Sequence, residues 1–457
     1  MYICRLFQRP EHLHYAKVIL ISLLFVSAAS AGRAQTQQNQ LSGFLTGGDR
    51  LNTITTAVPF LMISPDSRAG GMGDIGAATS PDVHSAHWNA AKLVKADRTL
   101  GVGASFTPWL RELVSDIYLS YLTGYKKLTD NTVVGGSMRY FSLGDIIFTD
   151  NNGNTIRPFR PNEFALDAFV GTRLTDYISG AVAFRFINSN LTGGIPVAGA
   201  ATKPGRSVAA DISSYFEYPD LKLGGYDAEI AAGIAITNIG GKMSYSNNAG
   251  SDFLPMNLRL GPRVTVNLDD YNSITWAFDL NKLLVPTPPI YKTDATGKLV
   301  TNADGLVIGA GLDPDRPVAS GLFGSFSDAP GTPLRDDQGN YLENPDGTYQ
   351  VEKGSRFKEE MREINFATGL EYWYDNQFAV RGGYFHESAL KGNRKYMTFG
   401  AGLRFNVFGI DAAYLIPAYF GSDTPQSNPL KNTWRISLTF DFDGLKEQNN
   451  ASQAGDS

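Results

Sequence analysis

The feature that most constrains this chain is a two-residue alternation of apolar and polar side chains that recurs from Thr99 almost to the C-terminus. Successive side chains of an extended strand point to opposite faces, so the pattern specifies sheets with one apolar face. Between Asn257 and Leu268 the apolar set is Leu258, Leu260, Pro262, Val264, Val266 and Leu268; Asn257, Arg259, Gly261, Arg263, Thr265 and Asn267 fall between them. A soluble sandwich alternates in the same way, so one strand does not decide. The whole set does. Strands are expected at about 99–109, 113–126, 131–143, 162–175, 178–190, 207–222, 227–240, 256–268, 272–283, 363–375, 377–388, 395–407, 409–418 and 431–443. Fourteen is an even number, as in single-chain bacterial barrels, and most reach the roughly 9–11 residues that cross a bilayer obliquely.

The connections alternate between tight and long. Tight turns stand at Thr129-Asp130-Asn131, Thr175-Asp176-Tyr177, Gly224-Gly225-Tyr226, Asp269 to Asn272, Asp375-Asn376 and Phe408-Gly409; longer links run near 144–161, 191–206, 241–255, 284–362, 389–394 and 419–430. Only the link at Leu110 to Glu112 is short for the scheme. Transmembrane barrels have short periplasmic turns and long extracellular loops, so an even strand count places both termini in the periplasm. Arg or Asp facing lipid at the midplane costs about 2–4 kcal/mol, which assigns Asp167, Glu229, Arg435 and their neighbours to the lumen. Tyr118, Tyr121, Tyr125, Tyr140, Tyr372, Trp373 and Tyr374 lie near strand ends, where interfacial girdles form. The fold class is therefore all-β: a transmembrane antiparallel barrel of about 14 strands, spanning 99–443. Mean hydropathy of −0.17 agrees, because only alternate residues meet lipid.

Residues 1–34 read as a signal peptide. Arg5, Arg9 and Lys17 precede an apolar run from Val18 to Val26, and small residues permit cleavage after Ala31 or Ala34. The only cysteine, Cys4, lies in that leader, so the exported chain is held by packing and backbone pairing. A net charge of −5 and no basic tract argue against nucleic acid as a partner. Two regions stand outside the ladder. Residues 35–98, rich in Gly, Ala and Pro, are long enough to enter the barrel as a plug, with Ser80-Pro81 able to start a short helix. The link 284–362 has an Asp/Gly-rich centre and two pieces with helical character, Ala319 to Phe326 and Phe357 to Ile364; links this long are functional or disordered. Residues 444–457 are a periplasmic tail.

No constellation of catalytic residues emerges, and no cofactor or metal is expected. His84-x-x-His87 lacks a third ligand and the general-base glutamate of zinc proteases. Asp313-x-Asp315 and Asp336-Asp337 lack the spacing of a calcium loop and read as solvated loop charge. Gly70-Gly71-Met72-Gly73 lacks the strand, turn and helix of a phosphate loop; its glycines suit close approach to the barrel wall. His386 beside Glu387 suits a hydrogen bond at the rim.

The segment Ser67-Arg68-Ala69-Gly70-Gly71-Met72-Gly73, followed by Trp88-Asn89-Ala90-Ala91, resembles the N-terminal plug signature of the long-chain fatty acid transporter-like barrels. Ser325 to Gly331, which includes Phe326 and Asp328, Phe357 to Glu360, Glu371 to Tyr374, Arg381 to Glu387, Lys391 to Tyr396 and Asn428-Pro429-Leu430 resemble the PorV branch of that superfamily. The resemblance implies a protein of the type IX secretion system of Bacteroidetes that binds the C-terminal signal domain of cargo leaving the translocon barrel SprA. It implies delivery to the surface sortase PorU, in an outer membrane of lipid and lipopolysaccharide. Leu322, Phe323, Phe326 and Asp328 in the long link are the candidate partner-binding residues; Arg68, Gly70, Gly71, Met72, Gly73, Trp88 and Asn89 form the plug motif. Two other functions compete with the secretion adaptor: a channel for hydrophobic small molecules such as fatty acids, and a barrel enzyme that modifies lipid A.

Overall fold

The computed structural model describes residues 51–442 apart from 113, 150–154, 197–200, 247–249, 295–297, 304 and 419–428. The expected leader with its cleavage points, residues 35–50, Asn428 of the last motif and the tail 444–457 lie outside the described residues. Fourteen antiparallel strands close into a barrel, each pairing with its chain neighbours and the first with the last. They are β1 (Leu100–Pro108), β2 (Ile117–Thr129), β3 (Thr132–Leu143), β4 (Asn162–Arg173), β5 (Ile178–Asn190), β6 (Gly205–Leu223) and β7 (Tyr226–Gly240). The ring continues with β8 (Asn257–Asn267), β9 (Asn272–Leu283), β10 (Ile364–Tyr374), β11 (Phe378–His386), β12 (Lys395–Phe405), β13 (Phe408–Pro417) and β14 (Trp434–Phe442). Closure runs from Leu100 opposite Phe442 to Phe106 opposite Ile436. Hydrocarbon offers backbone amides no partner, so a closed ring is the sheet that satisfies all of them.

Turn chemistry sets the tight end. Gly224 and Gly225 both have positive φ, 58° and 93°, and Asp375 and Asn376 have 51° and 49°. The first is a two-residue hairpin turn whose twist matches that of its strands; the second has three residues between Tyr374 and Phe378, with the Gln377 amide donating to Tyr374 O at 3.0 Å. Above them the faces follow parity: Arg435, Ser437 and Thr439 of β14 are buried, while Ile436 and Phe440 are exposed. On β8 the ladder to β9 lapses at Gly261 and Pro262 while that to β7 continues; proline has no N–H to donate.

Several expectations shift. Strand β2 begins at Ile117 and not near 113, so the first link spans eight residues, 109–116, and is no longer the exception. Tyr121, Tyr125 and Trp373 face the interior: Tyr121 and Tyr125 share a face with Leu119 and Thr123, and Trp373 lies 5.3 Å from the Arg381 guanidinium. The inward face is itself partly apolar, so nearness to a strand end did not reveal the side. The link from Leu284 carries its own structure. It holds the ribbons Ile290–Tyr291 with Ile308–Ala310 and Thr301–Asn302 with Gly305–Leu306, and the bridges Pro333 to Val351, Arg335 to Tyr341 and Glu343 to Tyr349. Its helices are α3 (Val318–Gly324) and α4 (Ser355–Arg362), each starting one or two residues earlier than expected. The helix expected at Ser80 starts later, at Ser85, because the Ser80 carbonyl accepts from Arg68 Nη1 at 3.0 Å.

The N-terminal segment contains α1 (Ser67–Gly71), α2 (Ser85–Trp88) and 3-10 turns at Pro59–Met62 and Ala90–Lys95. It begins at the long-link rim, where the Asn52 amide donates to Leu390 O and the Ala57 amide to Phe253 O. It finishes at the tight-turn rim, where Lys95 Nζ donates to Asp176 O. Between these points its residues are almost all buried.

Leu166 stands mid-strand on the outward face, 46% exposed, and Thr172 is outward near the tight-turn end. Leu166→Arg is expected to cost about 2–4 kcal/mol and Thr172→Arg about 1 kcal/mol or less, since the penalty falls towards the interface. Folded yields in lipid vesicles, read from heat-modifiable gel mobility, check the difference; equal yields contradict the facing.

Candidate functional site

Two regions bring polar chemistry together: the wall of the lumen with the N-terminal segment inside it, and the mouth beneath the long link. The segment meets each of the fourteen strands. Val83 and His84 lie against Gly103 of β1, and Thr123 of β2 donates to Val83 O at 3.3 Å. His87 Nδ1 lies 3.0 Å from Arg139 of β3, Val94 touches Gly171 of β4, and Ser179 of β5 donates to Ala91 O at 2.7 Å. Asn89 Nδ2 donates to Ser214 O of β6 at 2.9 Å, Ala77 O faces Gly233 of β7, and Arg259 of β8 lies 4.4 Å from the Trp88 ring. Asp279 of β9 accepts from the Gly76 and Ala77 amides at 2.7 and 2.9 Å, and Glu371 of β10 grips Arg68. Helix α1 packs on β11 to β14.

Local sequence explains this path. Asp66 caps α1, accepting from the Ala69 amide at 2.9 Å, and its other oxygen accepts from Trp88 Nε1 at 2.6 Å. Gly71 passes Gly400 of β12 closely enough that a Cβ on it would stand 3.0 Å from the Gly400 Cα. A Cβ on Gly383 of β11 would stand 2.1 Å from the Met72 carbonyl carbon, and Gly73 has φ of +84°. Gly70 leaves room for the Arg435 guanidinium, while Met72 is fully buried between Gly369 and Gly383. Asn89 caps the turn Ala90–Lys95 through the Ala91 amide at 3.1 Å and donates to Ala77 O at 3.0 Å.

The charges form chains. Arg68 donates to Glu371 from Nε and Nη2 at 2.9 and 2.7 Å and to Asp82 at 2.9 Å. Glu371 also accepts from Arg381 at 2.6 Å, Arg381 reaches Asp411 at 2.7 Å, and Asp411 accepts from Arg404 at 2.7 Å. A second chain runs from Arg139 to Asp167 at 3.0 Å, to Arg185 at 2.6 Å and to Asp211 at 2.9 Å. Strand parity placed these residues inside but could not say which cation meets which carboxylate. An arginine at His87 puts positive charge where a metal would have to sit, and among the described residues no cluster of three metal-ligating side chains occurs.

At the mouth, α4 presents carboxylates downward. Glu359 accepts from Lys391 Nζ at 2.8 Å, Asn52 Nδ2 at 2.9 Å and the Gly331 amide at 2.9 Å. Glu360 accepts from Lys282 at 3.0 Å and the Ala329 amide at 2.9 Å; Glu363, which caps the helix, accepts from Lys282 at 2.7 Å and Thr287 at 2.7 Å. One cluster thus ties the N-terminal segment, the long link and the link after β11. The sequence reading missed it, because a run of Glu in a loop looks solvated. Of the candidate link residues, Leu322 packs with Phe253, Met256 and Leu284. Phe323 is 75% exposed and Phe326 48% exposed. Asp328 is buried, pairs with Arg316 and accepts from the Thr287 amide at 3.3 Å. Asp313 and Asp336 cap local turns, and Asp315 pairs with Lys242 at 2.8 Å.

A closed ring of fourteen strands with apolar residues outward and paired charges inward defines an outer-membrane β-barrel. The chain belongs to the PorV family: the family model described as "Type IX secretion system protein PorV" matches residues 47–290, slightly more than half of the 457. It is thus an outer-membrane component of that secretion system. No curated protein matches this chain in sequence. Among solved structures it is similar to a FadL homologue of Pseudomonas aeruginosa, with 11% identity and a TM-score of 0.40 over 86% of this chain and 99% of that one. It is also similar to the toluene transporters TodX of Pseudomonas putida (12%, TM-score 0.42, 85% and 98%) and TbuX of Ralstonia pickettii (10%, 0.38, 83% and 98%). With TM-scores this low, what those proteins carry remains a property of those proteins.

Removing Glu371 leaves Arg68 and Arg381 buried without their shared carboxylate, so Glu371→Ala is expected to destabilise the barrel by about 3–5 kcal/mol. Denaturant unfolding in detergent reads this, and an unchanged midpoint refutes it. In the link, burial pushes the Asp328 carboxyl from 3.8 up to about 6, outweighing the Thr287 hydrogen bond and Arg316, which pull it down. A raised acid stabilises the folded link fully below the unfolded value. That contribution disappears as pH rises from about 4 to about 6, by on the order of 2 kcal/mol. Limited proteolysis of the link is expected to quicken over that window, and Asp328→Asn to flatten the change.

Proposed function

We propose that this barrel collects cargo of the type IX system at the cell surface. On this reading it binds the C-terminal signal domain of a protein leaving the SprA translocon and hands it to the PorU sortase. The observation that carries the reading is the long link, whose buried carboxylate cluster fixes it to the mouth while Phe323 and Phe326 stay exposed. Exposed rings on a fixed base are the usual form of a partner surface. Residues 52–96 act as a plug, the closing part of the segment 35–98, with residues 1–34 removed on export. The long links face the cell exterior and the tight turns the periplasm, with the C-terminal end after Phe442 and the tail 444–457 on the periplasmic side. On this reading the even strand number puts both termini in the periplasm.

A channel for hydrophobic small molecules fits less well, since the lumen is lined by paired arginines and carboxylates around the segment. The reading assigns the barrel no reaction, on lipid A or otherwise.

Phe323→Ser with Phe326→Ser is expected to leave a folded, heat-resistant barrel in the outer membrane while capture of a purified signal domain falls at least about tenfold, the loss of 1.4 kcal/mol or more typical of a buried aromatic anchor. Shortening the two turns at Asp336–Asn340 and Asn344–Thr348 is expected to matter less. Wild-type capture and secretion by the double variant would falsify the placement of the partner surface.

A further inference from the structure

Helix α4 is amphipathic in the inverse sense to an ordinary surface helix. Its carboxylates Glu359 and Glu360 are buried, while Phe357 and Met361, one turn apart on the other side, are 69% and 47% exposed. Arg356 and Lys358 lie beside them and are exposed, as is Lys353 just before the helix. The buried side is already satisfied by the mouth cluster, and among the described residues none covers the ring and the thioether.

What lies below the helix indicates the cover. Trp276, Phe278, Phe366 and His386 form an outward-facing ring ladder across β9, β10 and β11, with neighbouring centroids 6.5, 6.3 and 4.7 Å apart. Such belts stand where hydrocarbon gives way to headgroups. Helix α4 ends at Arg362, and β10 begins at Ile364 and reaches the ladder at Phe366. Passing outward along β10 therefore leads from lipid-facing Leu370 to the rings at Phe366, and then to a short helix that offers cations and apolar side chains together. In an outer leaflet the layer at that height is the phosphorylated glucosamine of lipid A, which is anionic above and apolar beneath. We propose that the exposed face of α4 seats on lipid A, with Arg356 and Lys358 meeting its phosphates and Phe357 and Met361 entering the acyl boundary. An acidic protein surface would match the cations, but the continuity with the ring ladder favours the lipid. The inference shares with the preceding reading only the placement of the long links outside the cell.

The lone cysteine, Cys4, lies in the leader, so Met361→Cys labelled with an environment-sensitive dye reports this face alone. The barrel is placed in nanodiscs of phosphatidylcholine, of phosphatidylcholine with lipid A, and of phosphatidylcholine with dephosphorylated lipid A, which present lipid to both rims and need no cargo. With lipid A the dye is expected to shift to the blue and lose quenching by iodide. Dephosphorylation, Arg356→Glu with Lys358→Glu, or the milder pair Arg356→Gln with Lys358→Gln, restores the quenching, while gel mobility confirms folding. Equal quenching in all three discs overturns the proposal, and so does equal shielding by phosphatidylcholine alone. Shielding that appears only when an acidic cargo signal domain is added overturns it in favour of a protein partner. None of these outcomes depends on capture at Phe323 and Phe326.

Discussion

Everything in this molecule follows from the need to pair backbone amides where no water can reach them. A closed ring meets that need, but with fourteen strands its interior is too wide for wall side chains alone to fill and too polar to be packed like a soluble core. The chain fills it with its own N-terminal segment and neutralises the wall through alternating arginines and carboxylates. Buried ion pairs are weak evidence of stability compared with apolar packing, because desolvation offsets most of their attraction. Their use here is geometric. Arg68, held by Asp82 of its own segment, fits only where Glu371 of the wall waits for it, and that fixes the seat of the segment.

Glycines make that seat possible. Where the segment passes β10, β11 and β12, the wall presents Gly369, Gly383 and Gly400 to Met72, Gly73 and Gly71. Backbone meets backbone, and the hydrogen bond from the Gly73 amide to Thr398 Oγ1 at 2.8 Å replaces what a side chain would have contributed. On the opposite wall the contact is of another kind, with Leu93 and Val94 buried among Tyr125, Val133 and Phe169. The segment is pinned by charge and close approach on one side and by ordinary apolar packing on the other.

How much of this was readable in the sequence depended on whether a property is local. Strand number, parity and the alternation of tight and long connections are local, and β8 and β14 face as their alternation dictates. Tyr121 and Tyr125 misled because β2 is apolar on both faces: Leu119 and Tyr121 meet the segment while Leu122 meets lipid, so period two carried no contrast. Helix α4 was foreseen as a helix, but its buried side was not legible. Nothing in its sequence singles out Glu359 and Glu360 for burial, yet both are buried, because Lys391 and Asn52 arrive from distant parts of the chain to receive the first and Lys282 to receive the second. No window of sequence contains those partners. The same holds for the charge chains in the lumen, whose members were recognisable but whose pairings are a matter of three-dimensional register.

The path of the N-terminal segment also constrains how the molecule can be made. Its anchors come from the far end of the chain: the Ser67 amide donates to Ser437 Oγ, 370 residues later, and Asp74 accepts from Arg435. The first part synthesised therefore cannot settle until the last strand exists. Once β14 has joined β1, the segment touches strands all round the circumference, so its contacts are complete only in the closed ring. Its seat is therefore a property of the whole ring and not of any arc of it. Whatever inserts this barrel handles an object whose interior contacts are complete only at its final step.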